Sequence, residues 1–219
     1  MSILWPVAHA LLLYVHAAEP QDELERILQE RKSWPPDLSD PQVAESWARR
    51  QRGPRTPLAP FLAAPLSVVA ATLDHFVLQP EDLFLDLGSG DGRWVMAAAE
   101  KWNCSGLGLE LNSSLVTGAM LEATRRNLQK VEFVTGDMFE ELPLLAPRLN
   151  ALGLVVVFLT TSGNTRIIPL LKKVLPSRSL PLIVPWFELP SQGGFELRRV
   201  LDEDYELREY TYRPEGFEL

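Results

Sequence analysis

The chain predicts an α/β protein: a largely parallel sheet, preceded by a helical extension and closed by an antiparallel hairpin. Three observations carry that expectation. Leu83-Phe84-Leu85-Asp86-Leu87 runs into Gly88-Ser89-Gly90-Asp91-Gly92-Arg93 and then into a helical stretch. That order of strand, glycine turn and helix belongs to a ligand site at the carboxyl edge of a parallel sheet. Apolar runs without alternation, residues 152–159 above all, suit strands buried on both faces. The last two runs, 195–201 and 205–212, are joined by Asp202-Glu203-Asp204 and read as a hairpin.

In chain order, residues 2–18 are almost wholly apolar and carry no Lys or Arg. Three readings fit them. A signal peptide explains the apolar core and the small residues near its end, but the basic start is missing. A spanning helix needs about 20 apolar residues and would contain Pro6. A buried or interfacial helix is the third. The expectation taken forward is membrane association, as an anchor or targeting segment, through residues 1–18. Residues 21–32 read as a charged helix with Leu24, Ile27 and Leu28 on one face. Ser33-Trp34-Pro35-Pro36-Asp37 breaks it, and Asp40-Pro41 starts a short helix through Trp47 to Arg50. Residues 53–60 are proline-rich, a linker or lid base. The chain thus divides into an extension, 1–56, and an α/β domain, 57–219.

Within that domain, 66–76 read as an apolar helix, 79–82 as a turn, and 94–102 as the helix after the glycine turn. Residues 106–111 form the second strand, and Ser113 or Ser114 caps a helix carrying Leu115, Met120 and Arg126. A third strand, 131–135, precedes a loop. After the fourth strand, 152–159, residues 167–174 are helical, with Lys172 and Lys173 where cations suit the dipole. Residues 180–184 are the fifth strand.

The chemistry is concentrated at the strand ends. Gly88, Gly90 and Gly92 let the backbone adopt positive φ and approach a ligand closely. Their spacing differs from the Gly-x-Gly-x-x-Gly of dinucleotide binders. Asp86 and Asp91 would repel a pyrophosphate, but not a ligand carrying an amino group and a sulfonium. Glu110 ends the second strand roughly 20 residues on, where a carboxylate accepts hydrogen bonds from both ribose hydroxyls. Gly136-Asp137-Met138 follows the third strand. Singly, Asp86 also reads as a turn or capping residue, Glu110 as a solvated strand end and Asp137 as a loop carboxylate. Their joint order favours a cofactor site.

These residues resemble motif I and its following elements in the S-adenosylmethionine-dependent methyltransferases with a seven-stranded, Rossmann-like fold. The resemblance implies S-adenosyl-L-methionine as cofactor and a mixed sheet whose last strand inserts antiparallel. It implies a binding set of Asp86, Gly88, Ser89, Gly90, Asp91, Gly92, Glu110, Leu111, Asp137 and Met138. By the same resemblance, Asp137 takes the adenine amino group and Met138 packs against the ring.

Composition sets outer bounds. The 219 residues hold one domain with a full core plus an extension. Hydrophobic content of 46% and charged content of 23% are ordinary for a globular chain. A net charge of −8 argues against a nonspecific nucleic-acid binder. Arg49, Arg50, Arg52 and Arg55 form a local basic cluster that reads as a solvated linker. The single cysteine, Cys104, rules out an internal disulfide and a cysteine-based zinc cluster, and reads as a small core residue. His9, His16 and His75 have no metal-ligand spacing, so no metal is indicated.

After the fourth strand, Val157-Phe158-Leu159-Thr160-Thr161-Ser162 lacks the Asn/Asp-Pro-Pro-Tyr of enzymes that methylate planar amides or base amines. Thr160, Thr161, Ser162 and Asn164 likewise supply no metal-binding carboxylates of the catechol type. Residues 57–190 are similar to a small family of seven-strand protein lysine methyltransferases, including mitochondrial enzymes that modify the ATP synthase c subunit and the adenine nucleotide translocase. The likeness rests on Pro60-Phe61, the glycine motif, Leu109-Glu110-Leu111-Asn112 with Leu115-Val116, Val155-Val156-Val157-Phe158, and Leu170-Leu171-Lys172-Lys173. Ser113, where the family commonly has proline, and the Thr- and Ser-rich loop after Phe158 depart from it, so substrate identity is not carried over. The resemblance implies methyl transfer to a protein lysine, a protein partner, no nucleic acid, and an intracellular, membrane-associated or mitochondrial setting. Direct displacement asks the protein to align the reactants and exclude water, while desolvation favours the neutral amine. No general base stands out. Thr160, Thr161 and Phe61 are candidates for the pocket wall. A small-molecule methyltransferase and a noncatalytic cofactor-binding scaffold stay open as alternatives, and the glycine spacing disfavours an NAD-binding oxidoreductase.

Overall fold

The structure, a computed structural model, describes Phe61 and residues 63–190 and 194–214. The readings of residues 1–18, 21–32, 40–50 and 53–60, with Pro60 of the Pro60-Phe61 element, lie outside the described residues.

Seven strands form one sheet: β1 (Leu83–Leu87), β2 (Ser105–Glu110), β3 (Val131–Thr135), β4 (Leu152–Val157), β5 (Leu180–Val184), β6 (Phe195–Asp202) and β7 (Leu207–Tyr212). Their order is β3-β2-β1-β4-β5-β7-β6. The first five pair in parallel, and β7 inserts antiparallel between β5 and β6. The chain steps outward from β1 to β3, then returns to β4 and steps the other way. The crevice between β1 and β4 is therefore the topological switch point, where open α/β sheets bind ligands.

Among the described residues, five helices cover the sheet: α1 (Leu66–Leu73), α2 (Arg93–Trp102), α3 (Ser113–Arg125), α4 (Met138–Leu145) and α5 (Thr161–Val174). Strand alternation sorts the core into two layers. Leu85, Leu107, Val155 and Leu182 point to the face covered by Leu142 of α4 and by Ile167 and Leu171 of α5. Phe84, Leu154, Val156 and Ile183 point to the other face, under Val69 of α1, Val95 of α2 and Val116 of α3. The expected mixed seven-stranded sheet with its closing hairpin is what forms, and Cys104 is buried in the second layer.

Several boundaries differ from expectation. The first helix stops at Leu73, because the chain turns at Asp74 and His75 before Leu78 is buried. Asn112, not Ser113 or Ser114, caps α3; its side chain accepts from the Ser114 amide at 2.9 Å. The segment after β3 is the helix α4 and not a loop, with Asp137 as N-cap and Glu140 and Glu141 in the first turn, where the dipole favours acid. α5 begins at Thr161, six residues before the expected start, with Thr160 accepting from the Gly163 amide. β4 correspondingly ends at Val157. Among the described residues no helix is long and apolar enough to cross a membrane.

Candidate cofactor site

The turn after β1 wraps over the end of β2. Gly88, Gly90 and Gly92 take φ of 83°, 53° and 78°, the left-handed region that favours glycine. The amides of Gly88 and Ser89 donate to the Leu109 carbonyl at 2.8 and 3.1 Å, and Gly92 donates to Ser89 at 2.8 Å. At the rim, the Glu110 carboxylate is held in place by the backbone: Oε2 accepts from the Gly90 amide at 3.0 Å and Oε1 from Asn112 at 2.8 Å. Each oxygen keeps a further lone pair for a ligand hydroxyl. The Glu110 carbonyl takes the Gly136 amide at 2.9 Å, which brings the start of α4 to the same edge. There Asp137 Oδ1 accepts from Phe139 at 2.9 Å, and Met138 packs against the first core layer. Leu111, just past β2, is exposed.

Three buried polar atoms in and around the turn lack partners. Asp86 Oδ1, Ser89 Oγ and Trp94 Nε1 are buried with no hydrogen bond. The register sets Asp86 beside Gly108, and Ser89 Oγ lies 2.7 Å from where a Gly108 Cβ would stand. A buried polar atom left unpaired costs free energy and calls for a partner. Burial pushes the Asp86 carboxyl well above the usual aspartate range, and the charges of Glu110 and Asp91 reinforce the shift.

Asp91 plays a different part from the one its position suggests. Both its oxygens accept from the Arg93 guanidinium, which also donates to the Ala64 carbonyl. The exclusion of a pyrophosphate therefore rests on the Glu110 carboxylate more than on Asp91, which the Arg93 guanidinium pairs. Phe61, expected in a pocket wall, lays its ring against Gly90, where a Cβ would overlap it. The close-approach turn, the rim carboxylate and the unpartnered atoms together fit a cofactor with an amino group and vicinal hydroxyls.

Across the switch point, the ends of β4 and β5 carry residues that sequence reasoning missed. Phe158 and Trp186 stack edge to face, with centroids 4.9 Å apart and planes at 80°. Asn164, in the first turn of α5, is fully buried and donates to the carbonyls of Phe187 and Glu188 at 3.1 and 3.2 Å. The signal in the sequence was positional: Pro185-Trp186-Phe187 directly follows a buried strand, at the sheet's ligand-binding edge. Among the described residues no group of three His, Cys, Asp or Glu could hold a metal.

An RNA methyltransferase from Salinibacter ruber, solved with S-adenosyl-L-homocysteine, superposes with a TM-score of 0.59 at 26% identity, over 72% of this chain and 97% of its own. A precorrin-6y C5,15-methyltransferase from Geobacter metallireducens GS-15 shares the fold, with a TM-score of 0.54 at 16% identity over 70% and 89% of the two chains. Residues 86–192 match the family described as the ANTKMT methyltransferase domain, a span that runs from Asp86 past the end of β5. With that match, the sheet order and the site geometry make this chain a class I, S-adenosylmethionine-dependent methyltransferase. A particular likeness is to the protein-lysine N-methyltransferase of Saccharolobus islandicus (strain REY15A), 26% identical over 158 residues, which are 71% of this chain and 94% of that protein.

Proposed function

We propose that the enzyme methylates the side-chain nitrogen of lysine in a protein. The observation that most supports this is the near-complete span of the lysine-modifying relative, 94% of its length, matched over 158 residues. In this reading Glu110 receives the ribose hydroxyls, Asp137 and Met138 the adenine, and the glycine turn with Asp86 the amino-acid end. Leu111 and Ser89 complete the lining, and residues 1–56 form an extension to the catalytic domain.

Held by these residues, S-adenosylmethionine would supply an electrophilic sulfonium methyl group to a lysine amine that has given its proton to solvent, the sulfur leaving with the bonding electron pair. The protein's residues orient and desolvate. The rim carboxylate and turn fix one reactant, and the apolar ends of β4 and β5 exclude water from the other, lowering the pKa of an incoming ammonium. A net charge of −8 favours the approach of a cationic segment.

The test is to incubate the full-length protein with S-adenosylmethionine labelled on its methyl group and a methylation-deficient lysate. Label in one protein band, stable to base and mapped to lysine, supports the reading. Label that nuclease removes, or that runs with small molecules, overturns it in favour of another acceptor.

A further inference from the structure

We propose that Phe158 and Trp186 form the wall of the channel that receives the acceptor lysine, and that Asn164 positions Trp186 within it. This rests on the lysine reading above. The cofactor residues lie at the ends of β1, β2 and β3, whereas these two rings stand at the ends of β4 and β5, on the other side of the switch point. The two sides touch: the Phe158 carbonyl and the Leu159 side chain lie 3.7 and 3.5 Å from where a Gly88 Cβ would be.

Trp186 is held in a conformation that its side chain disfavours. Its φ is 59°, a left-handed value that is unusual for a bulky residue and persists only where surrounding structure imposes it. The surroundings do so from two directions. The terminal hairpin takes the Trp186 amide on the Glu206 carbonyl at 3.2 Å and gives Arg208 Nη1 to the Trp186 carbonyl at 3.3 Å. From the helix side, Asn164 ties down the next two carbonyls, and its Oδ1 is buried without a partner. Strain of this kind gathers at ligand clamps, and here it aims a half-buried indole across Phe158.

In this proposal the two rings, in edge-to-face contact at 80°, bound a narrow slot as adjacent walls. A lysine chain suits such a slot better than a flat base does. Its methylenes pack on apolar surface, its ammonium is drawn to the ring faces on entry, and exclusion of water then favours the neutral amine.

Trp186→Gly tests this cleanly, because glycine accepts the positive φ while losing the ring. The assay uses full-length protein, the lysine-bearing protein that the wild type labels, and calorimetry with S-adenosylmethionine. The expected result is a folded variant with cofactor affinity within about twofold of wild type and kcat/KM for the acceptor reduced about 10- to 100-fold. Trp186→Phe should recover much of that loss, and Phe158→Leu, which keeps apolar bulk, should share it. Undiminished kcat/KM in Trp186→Gly overturns the wall, as does a parallel loss of cofactor affinity, which would place the ring on the cofactor instead. Should Trp186→Gly not fold, Phe158→Leu decides by the same criteria. Wild type that labels no protein lysine would defeat the functional reading itself, a different outcome from a wild type that labels lysine and variants that do so equally well.

Discussion

Glu110 and Asp86 sit a strand apart and answer to different physics. Glu110 is at the rim, where two backbone amides orient its carboxylate. A hydrogen bond to a charged group contributes about 1.5–3 kcal/mol, and about 1.4 kcal/mol is a tenfold change in affinity. Glu110→Ala should therefore weaken S-adenosylmethionine binding about 10- to 100-fold by calorimetry; unchanged affinity would remove the ribose role. Asp86 is 1% exposed and holds its proton well above the ordinary value of 3.8. The unfolded chain releases that proton first. Stability of the protein without cofactor is then fullest below the ordinary aspartate value, and falls as pH rises toward the elevated folded value. Asp86→Asn should flatten this slope in urea titrations across pH; an unchanged slope would show that the carboxyl is ionised in the fold.

At the scale of elements, the turn between β1 and α2 depends on what is missing from it. Gly92 combines a φ of 78° with ring contact, since a Cβ there would meet Phe133 and stand 3.0 Å from Ala119. Gly92→Ala should cost about 2–4 kcal/mol from the left-handed backbone and overpacking together, measured as a lowered urea midpoint at constant m-value. The same turn was legible because its glycines and its Asp86 are read directly from order and spacing. The helix α4 and the first turns of α5 were not. Pro143 lies inside α4 and Pro147 follows, so a helical pattern reads as broken, although Asp137 caps it. The first turn of α5 is Thr161-Ser162-Gly163-Asn164, polar and of modest propensity, and it becomes helical because Thr160 caps it and Asn164 is anchored in the core.

For the whole molecule, the sheet order divides the work into two halves, and the sequence showed them unequally. Glycine spacing and strand-end carboxylates mark the cofactor half from local chemistry alone. The acceptor half proposed above draws on Phe158, Asn164, Trp186 and the hairpin, residues from four segments, and no spacing rule records contacts made across the sheet. Charge also acts at this scale. A protein of net charge −8 attracting a cationic acceptor should show kcat/KM falling as salt rises from about 0.05 to 0.3 M, since screening shortens the reach of its field. A salt-independent kcat/KM would argue against electrostatic steering.

The most direct measurement is tandem mass spectrometry of lysate proteins after incubation with full-length enzyme and S-adenosylmethionine carrying a deuterated methyl group. Deuterated methyl on the side-chain nitrogen of a lysine with wild type, and its strong reduction with Glu110→Ala, is the predicted result. Deuterium confined to RNA or small molecules, or equal lysine labelling by both proteins, would contradict it.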